Sequence, residues 1–152
     1  MDKEIDVILS SPCKRAIDTV QDFADIKGID IAIIDDFKER RVDSAWIEDF
    51  DSFCQRQWDD FYYKLSDGEC LKEVQNRNVT ALNKVLSMYN DKNIVIGSHG
   101  TALSTIINYY DKTFVYSDFE KIRYLMPWIV EFIFEDNVCI KIQKYDLFDD
   151  KV

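Results

Sequence analysis

Two segments constrain this chain more than any others. Asp6-Val7-Ile8-Leu9-Ser10-Ser11-Pro12-Cys13-Lys14-Arg15 and Asn93-Ile94-Val95-Ile96-Gly97-Ser98-His99-Gly100-Thr101 each read as a short apolar strand, a polar turn and the start of a helix. Uninterrupted β-branched runs of this kind belong to strands buried on both faces, as in parallel sheets covered by helices. Open α/β sheets bind ligands beyond the carboxyl ends of their strands. Here those ends carry Arg15 and the sole histidine, His99, which together predict an anion site.

The remaining pattern extends the same architecture. Ser11 followed by Pro12 predicts an N-cap with proline at the first helical position, and a helix over residues 12–26 that Gly28 stops. Residues 29–34 read as a second buried strand, followed by a loop that carries Glu39, Arg40 and Arg41. Trp46, Phe50, Phe53 and Phe61 recur at helical spacing, so residues 46–65 are expected as a helical excursion whose aromatic stripe packs as core. Leu71, Val74, Val79, Leu82, Val85 and Leu86 predict a helix reaching Met88, and residues 101–110 another behind the His99 turn. Ser117-Asp118-Phe119-Glu120 has capping-box form and predicts a short helix to about residue 124, with Pro127 as its stop. Residues 128–134 and 138–144 flank Glu135-Asp136-Asn137 as an antiparallel hairpin. The expected fold is therefore a three-layer α/β/α arrangement with a mixed, mainly parallel sheet ending in a hairpin.

Charge and cysteine usage narrow the partners. With 29 acids against 19 bases, the net charge of −10 argues against nucleic acid or an anionic membrane, which need clustered cations. Cys13, Cys54, Cys70 and Cys139 are far apart, lack C-x-x-C spacing and accompany a single histidine, so no metal site or redox motif is indicated and reduced, mostly buried thiols are expected. The start, Met1-Asp2-Lys3-Glu4, has neither signal-peptide nor membrane-span character, and a cytoplasmic location is expected. The tail Asp149-Asp150-Lys151-Val152 is expected to be disordered.

The two turns suit phosphate. Backbone N–H groups at a helix N-terminus bind an oxyanion without burying a protein charge. Arg15 adds a bidentate fork, and His99 adds a further donor or, when cationic, a charge. Gly100 and Thr101 open the second helix, where glycine permits close backbone approach.

At these residues Ser10-Ser11-Pro12-Cys13-Lys14-Arg15-Ala16-Ile17-Asp18-Thr19 resembles the "SSPxxRAxxT" block of the histidine phosphatase superfamily, the phosphoglycerate mutase-like proteins, and Ser98-His99-Gly100 resembles its second-histidine block. Asp36-Phe37-Lys38-Glu39 is similar to the segment bearing that family's acid/base glutamate, and Gly68-Glu69-Cys70 with Glu73 and Arg77 to its "GES…E…R" stretch. The resemblance implies phosphate binding by Ser11, Arg15, His99, Gly100 and Thr101, and proton donation to the leaving oxygen by Glu39. It implies metal-free phosphomonoester hydrolysis through a phosphohistidine, with no cofactor. Glu69 is expected as a helix N-terminal charge, and Arg40 and Arg41 as solvated side chains, with contact to substrate anions as the alternative.

The family opens with a strand bearing an Arg-His-Gly motif whose histidine is the nucleophile, and no such motif occurs here. The resemblance thus implies one N-terminally incomplete domain over residues 1–152, inactive or nearly so, or else a non-catalytic module that binds a phosphorylated metabolite or a protein partner. It also implies a sheet with its first central strand missing, in the order 29–34, 6–9, 93–97, a gap, 128–134 and 138–144. The gap is expected to close by direct pairing or to be filled by another chain in a homodimer.

Overall fold

The computed structural model describes residues 3–147, so the tail at 149–152 lies outside the described residues. The chain runs β1 (Val7–Ser10), α1 (Lys14–Lys27), β2 (Ile31–Ile33), a 3-10 turn (Asp35–Phe37), α2 (Phe50–Asp59), α3 (Leu71–Met88), β3 (Ile94–Gly97), α4 (Gly100–Tyr110), α5 (Tyr116–Ile122), β4 (Ile129–Glu135) and β5 (Val138–Tyr145). β1 lies between β2 and β3, parallel to both, with Leu9 opposite Ala32 on one side and Ile96 on the other.

Helices cover both faces of this three-stranded sheet. Ala16, Val20 and Ala24 fall one turn apart along the buried side of α1, and Val20 and Ala24 pack with Ile8 on one face of the sheet. Leu9 points the other way, into Ala81, Leu82 and Val85 of α3 and Ile106 of α4. Ile8 and Leu9 are fully buried, which stabilises the fold by about 1.5–3 kcal/mol per side chain. α1 ends where Gly28 takes φ 66°, and the Gly28 and Ile29 amides donate to the Asp25 and Ala24 carbonyls. Gly97 is needed for contact rather than for φ: a Cβ there would lie 2.7 Å from the Ala16 carbonyl oxygen and 2.8 Å from Ser10 Oγ.

β4 and β5 form a separate two-stranded antiparallel sheet, so the direct pairing of β3 with β4 expected from the sequence does not occur. Side chains join the two sheets: Phe132 and Phe134 of β4 pack beside Tyr110 against the α3–α4 core. A second cluster holds Phe53, Cys54 and Trp58 of α2 with Leu71, Ile107, Phe114 and Phe119.

Several boundaries differ from expectation for local reasons. α1 begins at Lys14 rather than Pro12, because Ser11 bonds elsewhere and Cys13 takes the N-cap position without a side-chain bond. β2 is a three-residue edge with Ala32 and Ile33 exposed, not a buried strand over 29–34. The aromatic stretch 46–65 is helical only over α2, where the Asp49 side chain accepts the Ser52 amide, and Trp46 is left exposed. The cap before α5 is displaced by two residues, since Asp118 rather than Glu120 turns back, accepting the Val115 amide at 3.0 Å. In the hairpin, Glu135 pairs with Val138, so Asp136 and Asn137 alone make the turn, with φ of 48° and 62°. Cys54 and Cys70 are buried, whereas Cys13 and Cys139 are half-buried.

Candidate functional site

The parallel pairing of β1 with β3 brings their carboxyl ends together and closes 88 residues of sequence into one contact. Ser11 Oγ lies 2.7 Å from His99 Nε2, and Arg15 Nε donates to His99 Nδ1 at 3.2 Å. An arginine side chain is always a donor, so Nδ1 is the acceptor. The ring proton therefore sits on Nε2 and is given to Ser11 Oγ, which also accepts the Cys13 amide at 3.1 Å. His99 is 6% exposed. Burial depresses its pKa below the ordinary 6.5, Glu39 opposes this, and the positive charges of Arg15 and Arg77 reinforce it, so the neutral ring is favoured.

Glu39 reaches the same corner from the loop after β2. Its carboxylate accepts the Thr101 amide at 3.1 Å, the Ala102 amide at 3.0 Å and its neighbour Arg40's amide at 2.9 Å. Two of the α4 first-turn amides are thus satisfied by a protein carboxylate in the place expected for phosphate. The Thr101 N–H expected to bind an anion is engaged with Glu39. Among the described residues the Gly100 amide meets no acceptor, and a Cβ added there would meet no atom within 4 Å, so the close approach expected of it is not made by the protein itself. Arg15 is exposed, and among the described residues its two terminal guanidinium nitrogens bond no protein group.

Arg77 of α3 fixes this loop from beneath. Its Nη1 donates to the carbonyls of Asp36 and Lys38 at 2.8 and 2.7 Å, and its Nη2 donates to the Glu39 carbonyl at 3.1 Å. The same guanidinium grips both oxygens of Glu69, at 2.8 and 3.0 Å. Burial works against the charged form of Glu69, but Arg77 and the Arg41 amide outweigh it and hold the carboxyl below its ordinary 4.5. Glu69, half-buried and immediately before the Cys70 N-cap of α3, is thus an ion-pair partner of Arg77 as well as a charge at the helix N-terminus. Gly68 allows this clasp, because a Cβ there would strike the Val42 carbonyl. The signal for Arg77 lay in the "GES…E…R" spacing, which puts Arg77 about two helical turns beyond Glu69 but says nothing of the carbonyls it binds.

Arg40 also departs from expectation, being 8% exposed rather than solvated. Its guanidinium donates to Gln57 Oε1 at 2.7 Å and lies 5.6 and 5.5 Å from the ring centres of Phe50 and Phe53. Arg41 uses its backbone instead, with its amide on Glu69 and its carbonyl accepting the Glu69 amide. Among the described residues no group of three or more His, Cys, Asp or Glu could hold a metal ion, and no helix is long and apolar enough to cross a membrane.

The family model described as "Histidine phosphatase superfamily (branch 1)" matches residues 1–137. The uncharacterized phosphatase PhoE of Bacillus subtilis (strain 168) is 31% identical over 102 residues, covering 67% of this chain and 51% of that protein. The chain thus spans about half the length of this relative. Among solved structures, a mutant phosphoserine phosphatase from Entamoeba histolytica, in complex with phosphoserine, superposes with a TM-score of 0.68 at 22% identity, covering 90% of this chain and 73% of that one. Mycobacterial glucosyl-3-phosphoglycerate phosphatase, complexed with inorganic phosphate, gives a TM-score of 0.60 at 17% identity over 72% of this chain and 60% of its own.

Proposed function

Because the chain belongs to the histidine phosphatase superfamily, we propose that the carboxyl end of its parallel sheet binds the phosphate group of a small phosphorylated metabolite. The observation that carries this reading is Arg15, a cation fixed through Nε to His99 with its fork of terminal nitrogens unspent in a chain of net charge −10. Gly100 supplies an amide, and His99 supplies its Nε2–H once a phosphate oxygen replaces Ser11 Oγ. Ser11 holds the ring and Thr101 holds Glu39. The phosphatase relatives and the phosphate-bound neighbour support the ligand class.

In catalytic members of the superfamily the phosphoryl group passes from the ester oxygen to a histidine and then to water, with Glu39's counterpart protonating the leaving oxygen. His99 is the sole histidine here, and both of its ring nitrogens are engaged within the protein. That favours binding without appreciable turnover, by one domain working in the cytoplasm with reduced Cys54 and Cys70. A thermal-shift titration with inorganic phosphate and orthovanadate tests it. Both anions are expected to raise the midpoint, Arg15→Ala to weaken the effect about tenfold or more, and p-nitrophenyl phosphate to remain intact. Turnover of that ester would assign a working phosphatase instead. No anion effect would leave only a likeness of fold.

A further inference from the structure

We propose that Glu39 makes the phosphate corner selective for a tetrahedral anion that carries a proton, a hydrogen phosphate or phosphomonoester monoanion, over one that carries none. This rests on the reading of the corner as a phosphate site. Glu39 Oε2 accepts the Thr101 amide at 3.1 Å, and Oε1 accepts the Ala102 amide at 3.0 Å. The Gly100 amide, one residue earlier in the same first turn, meets no acceptor among the described residues. Consecutive amide nitrogens of an α-helix lie about 3 Å apart with their N–H bonds nearly parallel. A ligand oxygen accepted at Gly100 therefore comes within about 3–4 Å of Glu39 Oε2. Two negatively charged oxygens at that separation repel unless a proton lies between them. The carboxylate is also held against turning away, since the Arg40 amide donates to Oε1 at 2.9 Å and Arg77 fastens the Glu39 carbonyl.

The other charges around the corner do not discriminate in this way. Arg15 on α1 attracts any anion. Arg77 on α3 spends its guanidinium on Glu69 and on the carbonyls of the loop. His99, at the head of α4, donates through Nε2 while neutral, and charging it at acid pH strengthens binding of protonated and unprotonated anions alike. On the loop itself Lys38 pairs with Asp35, Asp36 is exposed, and the Arg40 guanidinium turns to Gln57. Among the described residues Glu39 is the one carboxylate bonded to the α4 terminus, and its charge reaches the His99 ring, where it opposes the effect of burial. A phosphomonoester loses its second proton at about pH 6, whereas sulfate carries none at neutral pH. A carboxylate beside such a group favours its protonated form by about one pH unit or more, each unit being tenfold in preference.

The test titrates the full chain with inorganic phosphate and with sulfate from about pH 5.5 to 8.5 and reads both affinities by calorimetry. Their ratio cancels what Arg15 and His99 do to both anions. Phosphate should bind about tenfold or more tighter than sulfate at neutral pH, and the preference should shrink as free phosphate loses its second proton. The phosphorus resonance of bound phosphate should keep the monoanion position to about one pH unit or more above the titration of the free anion. Glu39→Gln retains an acceptor for α4 and adds a donor, so it should bind sulfate as well as phosphate. Equal affinity of the wild type for the two anions, or a preference that survives in Glu39→Gln, would overturn the proposal while leaving a phosphate site in place. If neither anion binds, the phosphate reading of the corner falls and this inference with it. The wild-type ratio and the phosphorus resonance need no variant, so a Glu39→Gln chain that fails to fold does not shield the proposal.

Discussion

His99 carries no positive charge in the folded chain near neutral pH, because burial outweighs the attraction of Glu39. Once unfolded, the ring recovers its ordinary value of 6.5 and takes up a proton that the folded state refuses. Folding stability from this group is therefore fully present above about pH 6.5 and declines as pH falls from there toward the depressed folded value. Urea denaturation at pH 7.5 and 5.5 should show a larger loss on acidification in the wild type than in His99→Gln, and equal losses would refute this account. The Arg15 and His99 positions were legible because each follows a strand-turn-helix pattern. Ser11 was legible as a cap and, through family likeness, as a phosphate ligand, but its bond to His99 was not, because that bond spans 88 residues and cap preference is a local property. Arg40 was misjudged because arginine is rarely buried without a carboxylate, and here two aromatic rings and Gln57 take that part.

The seam between α1 and β3 depends on a missing methyl group. Gly97→Ala would drive a Cβ against the Ala16 carbonyl and Ser10 Oγ, and the resulting shift should cost about 1–3 kcal/mol. It should also disturb the Arg15–His99 contact, because Ala16 and Arg15 move together on the first turn of α1. Denaturant unfolding and the anion titration together check this. Helices with clean apolar periodicity, α1, α3 and α4, were legible to within two residues or so. The 46–65 stretch was not, since aromatic spacing was counted while the start signal at Asp49 and the exposure of Trp46 depend on what the rest of the fold covers.

Among the described residues the two sheets share a core but no backbone hydrogen bonds, so cohesion across that line rests on side chains. Phe132 stands at the junction, packed with Tyr110 and Phe134 and touching both the α2–α5 and the α3–α4 clusters. Phe132→Ala should destabilise the protein by up to about 3 kcal/mol. Hydrogen exchange should then quicken in β4 and β5 before it does in β1, and uniform quickening would show that the two sheets open as one. The strand order and the break after β3 were legible through family likeness. That the break stays open was not, because pairing across it depends on backbone distances that no sequence pattern encodes.

The clasp around Glu39 separates two properties that active-site loops usually share. Its carboxylate is fastened to α4, and its backbone and that of Asp36 and Lys38 are fastened to Arg77 on α3. Among the described residues no hydrogen bond joins the stretch at 42–49, including the exposed Trp46, to the Glu39 carboxylate. The anchorage of Glu39 and the shape of the neighbouring surface are thus set by different stretches of sequence, and either can change without the other.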